Sequence, residues 1–404
     1  MKRRHYLAGV GVGGLAGLAG CTSFGATSGG GDSGGGGGSG GSEPTDTGSV
    51  ATDVADSGPD TVNGVEVPVP QSDLRRGAAK DAIPAIVDPE FAEDWSGLEV
   101  DVGSGFGGGN TSEPRLSEGH RVIAVERDGE ARAYPLRVLN WHEIVNDDFG
   151  GPLLVTYCPL CGSGVTAVRT VEGEETVFGV SGLLFRNALV MYDEKTESLW
   201  SQIAAAAIQG EKVGTALELV PSALTTWGEF RQQYPDGSVL LPPPESSTVT
   251  GRNSTRNYNR NPYAGYESSE QIGISGSFDD DRLHPKTMVV GVEHGGVSRA
   301  YPLDAVQRAG VVNDEIGGLP VVVAATESGT LVAYVREVDG TTLTFTRENE
   351  ESLAADGSRW RLLSGRAVDG PHEGSRLQQA NTVAQEFYFS WVNFHPETEI
   401  WSAE

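Results

Sequence analysis

The chain has 404 residues, with 56 acidic against 29 basic side chains and a formal charge of −27. That balance argues against a nucleic-acid groove or a patch for anionic lipid, because both need clustered positive charge. It leaves open an enzyme, a binding module or a surface scaffold.

The first element is an address. Arg3 and Arg4 precede an apolar, glycine-rich run over residues 6–20 that is too short to span a bilayer, and the run ends at Leu18-Ala-Gly-Cys21. Residues 1–21 resemble the signal of a twin-arginine-exported lipoprotein with its lipobox, which implies lipid on Cys21 and attachment to the extracytoplasmic face of the cell membrane. An ordinary cleaved signal with a spare cysteine is the alternative. Residues 22–70 are dominated by Gly, Ser, Thr and Asp. Such a composition cannot bury enough apolar surface to offset chain entropy, so a disordered tether is predicted. Scarce lysine, abundant acid and this tether resemble secreted haloarchaeal proteins, which implies a halophilic setting.

From residue 71 onward the chain repeats itself. Val122-Ile-Ala-Val-Glu-Arg-Asp-Gly-Glu-Ala-Arg-Ala-Tyr134-Pro-Leu returns as Val289-Val-Gly-Val-Glu-His-Gly-Gly-Val-Ser-Arg-Ala-Tyr301-Pro-Leu, and Val145-Asn-Asp returns as Val312-Asn-Asp in the same register. A first repeat over residues 71–283 and a degenerate second one over 284–404 follow. Each opens with a strand, residues 121–127 or 287–294, a turn and a second strand. A helix-compatible stretch begins behind a proline, at 136–145 or 303–312. Apolar strands are predicted at 153–157 and 321–325, then hairpins at 166–178 and 331–345. The closing segments Met191 to Trp200 and Asn393 to Trp401 read as equivalent, so Trp200 and Trp401 are predicted to anchor the core alike. Residues 201–283, with Pro242-Pro-Pro and an Asn/Arg/Tyr-rich run, read as a long ordered loop. Asn110 and Asn253 fit the glycosylation pattern and mark surface loops. The predicted fold class is α+β, predominantly β, built as two related halves.

The motifs Asp81-Ala-Ile-Pro-Ala-Ile-Val-Asp-Pro-Glu-Phe91, Tyr134-Pro-Leu-Arg-Val-Leu-Asn-Trp-His-Glu143, Tyr157-Cys-Pro-Leu-Cys-Gly-Ser163, Val180-Ser-Gly-Leu-Leu184 and Leu189-Val-Met-Tyr-Asp-Glu-Lys-Thr-Glu-Ser-Leu-Trp200 are long and specific. They resemble the domain-of-unknown-function family 3179 (DUF3179). The resemblance implies no activity, substrate or cofactor.

Function must therefore be argued from what one repeat has and the other lacks. Cys158-Pro-Leu-Cys161 has no cysteine in the second copy, and Trp141-His142-Glu143 is replaced by Arg308-Ala309-Gly310. A fold needs its frame in both copies, so unmatched residues are candidates for chemistry. A disulfide across so small a loop stabilises by roughly 2 kcal/mol, against about 3 for a fifteen-residue loop, which makes it a poor staple. Three readings remain. Cys158, Cys161 and His142 would form a zinc or copper site with an open position, Met191 as a weaker copper ligand and Glu143 as base or hydrogen-bond partner. Alternatively Cys158 and Cys161 exchange disulfides with an unknown small-molecule or redox partner, with Cys158, Cys161 and Glu143 as the catalytic candidates. In the third reading the pair is a structural disulfide in a scaffold. The glycine and β-branched residues after Cys161 predict a strand and not the helix of a thioredoxin fold. Ser181, Arg186 and Asn187 carry weaker interest as ligand contacts, and Asp193, replaced by His395 in the second copy, carries weak functional interest.

Overall fold

The computed structural model describes residues 60–102, 111–252, 254–274 and 276–403. Cys21, the signal, Asn110, Asn253 and residues 22–59 of the expected tether lie outside the described residues, whereas residues 60–70 are ordered, with Asp60–Val62 pairing antiparallel to Val65–Val67 and Val65, Val67 and Val69 buried. No described helix is long and apolar enough to cross a membrane.

Six sheets follow one another along the chain. Blade 1 is built on Arg121–Arg127 and Glu130–Pro135, blade 2 on Ile144–Asp148, Pro152–Cys158 and Ser163–Val168, and blade 3 on Phe178–Phe185, Ala188–Asp193, Leu199–Ser201 and Ala206–Gln209. Blades 4, 5 and 6 repeat the scheme with Met288–His294 and Val297–Pro302, then Val311–Ile316, Leu319–Ala325 and Leu331–Val335, then Thr346–Arg347, Ser352–Ala355 and Ser358–Arg361. With 42% strand and 9% helix, they form a six-bladed β-propeller. The expectation of an α+β fold in two related halves is thereby overturned, although its β-dominance fits. The physical reason lies in the helices. The four α-helices among the described residues, α1 (Leu136–His142), α2 (Trp227–Gln233), α3 (Leu303–Ala309) and α4 (Tyr388–Phe394), have seven residues each, two turns apiece. Elements so short link strands and cannot build a layer of their own.

The repeat survives as a frame of polar contacts between blades, buried in the first copy and partly open in the second. Asp147 accepts from Arg132 at 2.7 Å and from the Tyr134 hydroxyl at 2.6 Å, and Asp314 does the same with Arg299 and Tyr301 at 2.6 and 2.8 Å. Asn146 brackets the backbone of Phe178 from both sides as Asn313 brackets Phe345. Each of these asparagines satisfies both main-chain groups of a phenylalanine, at a buried place for Asn146 and a more open one for Asn313.

Two predicted equivalences are corrected. Residues 201–283 are not one loop: strands at Ser222–Thr226 and Ser238–Leu240 flank α2 and return to blade 1, the first antiparallel to Arg121–Arg127 and the second parallel to Glu130–Pro135. Glu386–Phe387, α4 and Glu399–Ile400 do the same for blade 4. The segment ending in Trp401 therefore matches the one around α2 and not Met191 to Trp200. Trp200 has its counterpart in Trp360, each edge-on to a phenylalanine, Phe178 at 5.5 Å and Phe345 at 5.7 Å. Residues 249–252, 254–274 and 276–287 are largely irregular, and the Tyr266 hydroxyl of this stretch reaches the cysteine turn.

The ring closes between its last and first blades on one buried carboxylate. Glu126 of blade 1 receives Arg361 at 3.0 Å, Arg366 at 3.3 Å and Arg376 at 3.0 Å, with the Tyr234 hydroxyl at 2.8 Å. Three guanidiniums and a hydroxyl offset the cost of burying this charge, and its carboxyl sits below the usual carboxylate range despite burial.

Candidate functional site

The two cysteines lie on the turn between the second and third strands of blade 2. Pro152–Cys158 pairs antiparallel with Ser163–Val168, and the amide of Cys161 donates to the Cys158 carbonyl at 3.1 Å. Gly162 leaves the turn at φ +64°, and a side chain there would strike the Phe387 ring at 3.0 Å. A strand follows directly, as the β-branched sequence predicts, so the turn does not itself open a helix. Both cysteines are free and buried.

Their surroundings differ. Burial opposes ionisation of Cys158, yet the Cys161 thiol and the backbone amides of Leu189, Cys161 and Leu160 outweigh it and hold Cys158 below the ordinary thiol value. Such a nest of donors stabilises a thiolate. Burial pushes the Cys161 thiol well above that value, and the Cys158 sulfur and Glu386 push it further. Cys161 donates to the carbonyl of Asn187 at 3.4 Å. Of the two, Cys158 gives up its proton the more readily and Cys161 holds its own the more tightly.

Glu143 stands at the C-cap of α1 with φ +56°, and its copy in the second half is Gly310 with φ +76°. The backbone needs the left-handed conformation in both places, and glycine takes it without strain. A glutamate there is unfavourable for the fold, which points to use of the side chain. Its carboxyl is buried and has no hydrogen-bond partner among the described residues. Burial, with Cys158 adding, raises it well above the usual carboxylate range.

The remaining candidates are held differently. His142 is buried with both ring nitrogens engaged, Nδ1 with the Pro84 carbonyl at 2.8 Å and Nε2 with the Tyr258 hydroxyl at 2.9 Å. The carbonyl fixes Nδ1 as the donor, and burial lowers the imidazole to about 4, so the neutral ring bridges two segments. Met191 lies in the same apolar cluster as the cysteines, two residues along the strand from Leu189. No group of three His, Cys, Asp or Glu side chains able to hold a metal ion occurs among the described residues. Two thiolates without His142 fall short of the ligand set of a zinc centre. Ser181 donates to the Val190 carbonyl and accepts from the Leu183 amide, which ties a bulge together. Asp193 accepts from Thr196 and from the indole of Trp200 at 3.0 Å. Arg186 and Asn187 form the positive-φ turn of a hairpin.

Several functional candidates escaped the sequence. Glu386 and Ser390, at the start of α4, lie behind Cys161, and Glu386 Oε2 and Ser390 Oγ are both buried without a partner. Burial lifts Glu386 to about 7. The corresponding place in the other half is filled by Thr225 and Glu229 beside the turn 325–330. There the Glu229 carboxylate accepts from Thr225 at 2.7 Å and Thr330 at 2.6 Å. One copy is a closed polar knot, whereas in the other Ser390 Oγ and Glu386 Oε2 lie beside the thiol pair without a hydrogen-bond partner. Buried polar groups are ordinarily paired, so the second arrangement is the exception of the two.

In front of the turn lies a cleft of about 240 Å³, whose wall includes Tyr157 and Pro159 on either side of Cys158, together with Arg121, Arg137, Tyr263 and Tyr266. The irregular segment forms its lid: the Tyr266 hydroxyl donates to the Leu160 carbonyl at 2.9 Å, and Lys286 fixes the segment through the carbonyls of Tyr266, Ser269 and Gln271. The only signal for these residues was the unmatched Asn/Arg/Tyr-rich run.

No curated protein and no solved structure matches the chain. One family model matches residues 80–398, a span that holds the cysteine turn, Glu143, the cleft and Glu386, and the chain belongs to that family, described as a protein of unknown function (DUF3179).

Proposed function

We propose that the protein exchanges thiols and disulfides at Cys158 and Cys161. The observation that carries this reading is the unequal setting of two free thiols on one turn, Cys158 in a nest of amide donors and Cys161 donating to a carbonyl. Cys158 Sγ attacks one sulfur of a substrate disulfide, forming a mixed disulfide and releasing the first substrate thiolate, which takes a proton. Cys161 then loses its proton towards Ser390 and Glu386 and attacks Cys158 Sγ, releasing the second substrate thiol. Two electrons pass to the substrate and a Cys158–Cys161 disulfide remains, which a dithiol of the same chemical class reduces. Glu143, whose buried carboxyl is pushed up beside Cys158, can supply a proton to the departing thiolate.

The test is a trap. A Cys161→Ser variant treated with a small disulfide accumulates a stable mixed disulfide on Cys158, seen by intact mass, and a Cys158→Ser variant accumulates none. A Cys158→Ser variant that reacts as readily as wild type would sink the assignment. Stoichiometric zinc or copper on the purified chain, lost in Cys158→Ser, would replace it with the metal reading.

The sequence supports a location for this chemistry. Arg3-Arg4 and Leu18-Ala-Gly-Cys21 favour export and lipid attachment at Cys21 to the extracytoplasmic face of the membrane. A Cys21→Ser variant should move the protein from the membrane to the soluble fraction; unchanged fractionation would count against the anchor.

A further inference from the structure

The cleft before the cysteine turn has a charge opposite to that of the chain. Acidic residues outnumber basic ones 56 to 29 in the sequence, yet Arg121, Arg137 and Arg260 all stand on this one wall with Glu267 as its single carboxylate. None of the three forms an ion pair among the described residues. Arg121 and Arg137 hydrogen-bond to neutral groups, with Glu267 and Glu229 acting on Arg121 only through space. Arg137 donates through Nε to His120 Nε2 at 2.9 Å and through Nη1 to the Tyr258 carbonyl at 2.7 Å. Burial and Arg137 both hold His120 below its ordinary value, so it supports the guanidinium without neutralising it. Arg121 donates to Gln385 at 2.9 Å, and its Nε has no partner. In blade 4 the place of Arg121 is taken by Met288 and in α3 the place of Arg137 by Asp304, so the frame does not require either charge. Guanidiniums held by neutral partners at a cleft wall keep their capacity for an anion, which they bind through paired N–H donors.

We infer that the cleft binds the carboxylate of a small anionic thiol or disulfide, with Arg121 and Arg137 gripping the acid while the sulfur reaches Cys158. The inference rests on thiol exchange as the reaction and adds the class of substrate. A volume of about 240 Å³ lies below the usual span for drug-sized ligands, which suits a small organic acid and not a peptide chain. The lid tyrosines Tyr263 and Tyr266 cover the apolar remainder.

Three disulfides of similar length separate the charge of the ligand from its reactivity: dianionic dithiodiglycolate, neutral hydroxyethyl disulfide and dicationic cystamine. The rate at which each oxidises the pair in the full chain is measured at low ionic strength by trapping and mass analysis. Dithiodiglycolate should outpace cystamine by about tenfold, with the preference shrinking as salt is added. Net protein charge alone gives the opposite order. Arg137→Gln and Arg260→Gln should each lower the anion-to-cation ratio by about threefold or more. A faster cystamine, or a ratio that neither variant moves, overturns the inference. Should no disulfide react, the exchange chemistry fails, and the cleft is judged by calorimetry of dithiodiglycolate on Cys158→Ser. Saturable binding weakened by Arg137→Gln upholds the anion site; no saturable binding removes it.

Discussion

Replacing Glu386 with glutamine removes a buried acid that the fold holds out of its ordinary range. Glu386 is about 1% exposed, its Oε2 has no partner, and burial lifts it from 4.5 to about 7. At 1.36 kcal/mol for each tenfold change in proton affinity, that rise corresponds to about 3 kcal/mol. The sign follows from proton counting. Between about 4.5 and about 7 the folded chain holds a proton that the unfolded chain has released, so stability falls as pH rises through this window. Glutamine is neutral throughout and escapes the loss. Thermal unfolding of wild type and Glu386→Gln should therefore nearly coincide at about pH 4 and separate by pH 8 in favour of the variant, by about 3 kcal/mol or about 4 °C for a unit of this size. The same variant should slow resolution of the Cys158 mixed disulfide by about tenfold or more if Glu386 takes the Cys161 proton. A stability gap that does not change with pH refutes the reasoning about burial, and an unaltered resolution rate refutes the proton route.

Glu143→Gly should raise stability by about 1 kcal/mol by releasing the positive-φ strain, and Gly310→Ala should lower it by a similar amount; denaturation midpoints that shift in the reverse directions would contradict this. Asp147→Asn should cost about 3 to 5 kcal/mol because it leaves Arg132 without its carboxylate in a buried setting. Asp314→Asn should cost less, since the Asp314 side chain is 22% exposed against 3% for Asp147, and equal losses in urea titrations would count against burial as the cause. Glu126→Gln should weaken the seam where the ring closes, lowering the unfolding temperature in a salt-sensitive way that distinguishes it from a simple core cavity.

Much of the local structure was legible. The strand at Arg121–Arg127, the helices behind Pro135 and Pro302, and the strand after Cys161 follow from periodicity, proline placement and β-branched sequence. The ring was not, because it depends on pairings that no local pattern encodes: Ser222–Thr226 returns to Arg121–Arg127, and Ser238–Leu240 runs parallel to Glu130–Pro135. A likeness of composition around Trp200 and Trp401 concealed the true match to Trp360. At the site, comparing the copies singled out Cys158, Cys161 and Glu143 because their counterparts are Ala325, Ser328 and Gly310. It could not tell that His142 is occupied by Pro84 and Tyr258, nor that Arg121, Ser390 and Glu386 converge from distant segments. Their partnership is visible only when blades 1, 2 and 4 are in place.

The central claim is that Cys158 and Cys161 form a reversible redox pair within the folded propeller. Equilibrating the full chain across a series of oxidised and reduced dithiothreitol ratios, then quenching with an alkylating reagent and weighing the products, measures this directly. The account expects a two-electron transition between dithiol and Cys158–Cys161 disulfide that runs in both directions without loss of native structure. Thiols that remain reduced at every ratio, or a disulfide that yields to reductant only after unfolding, would contradict it.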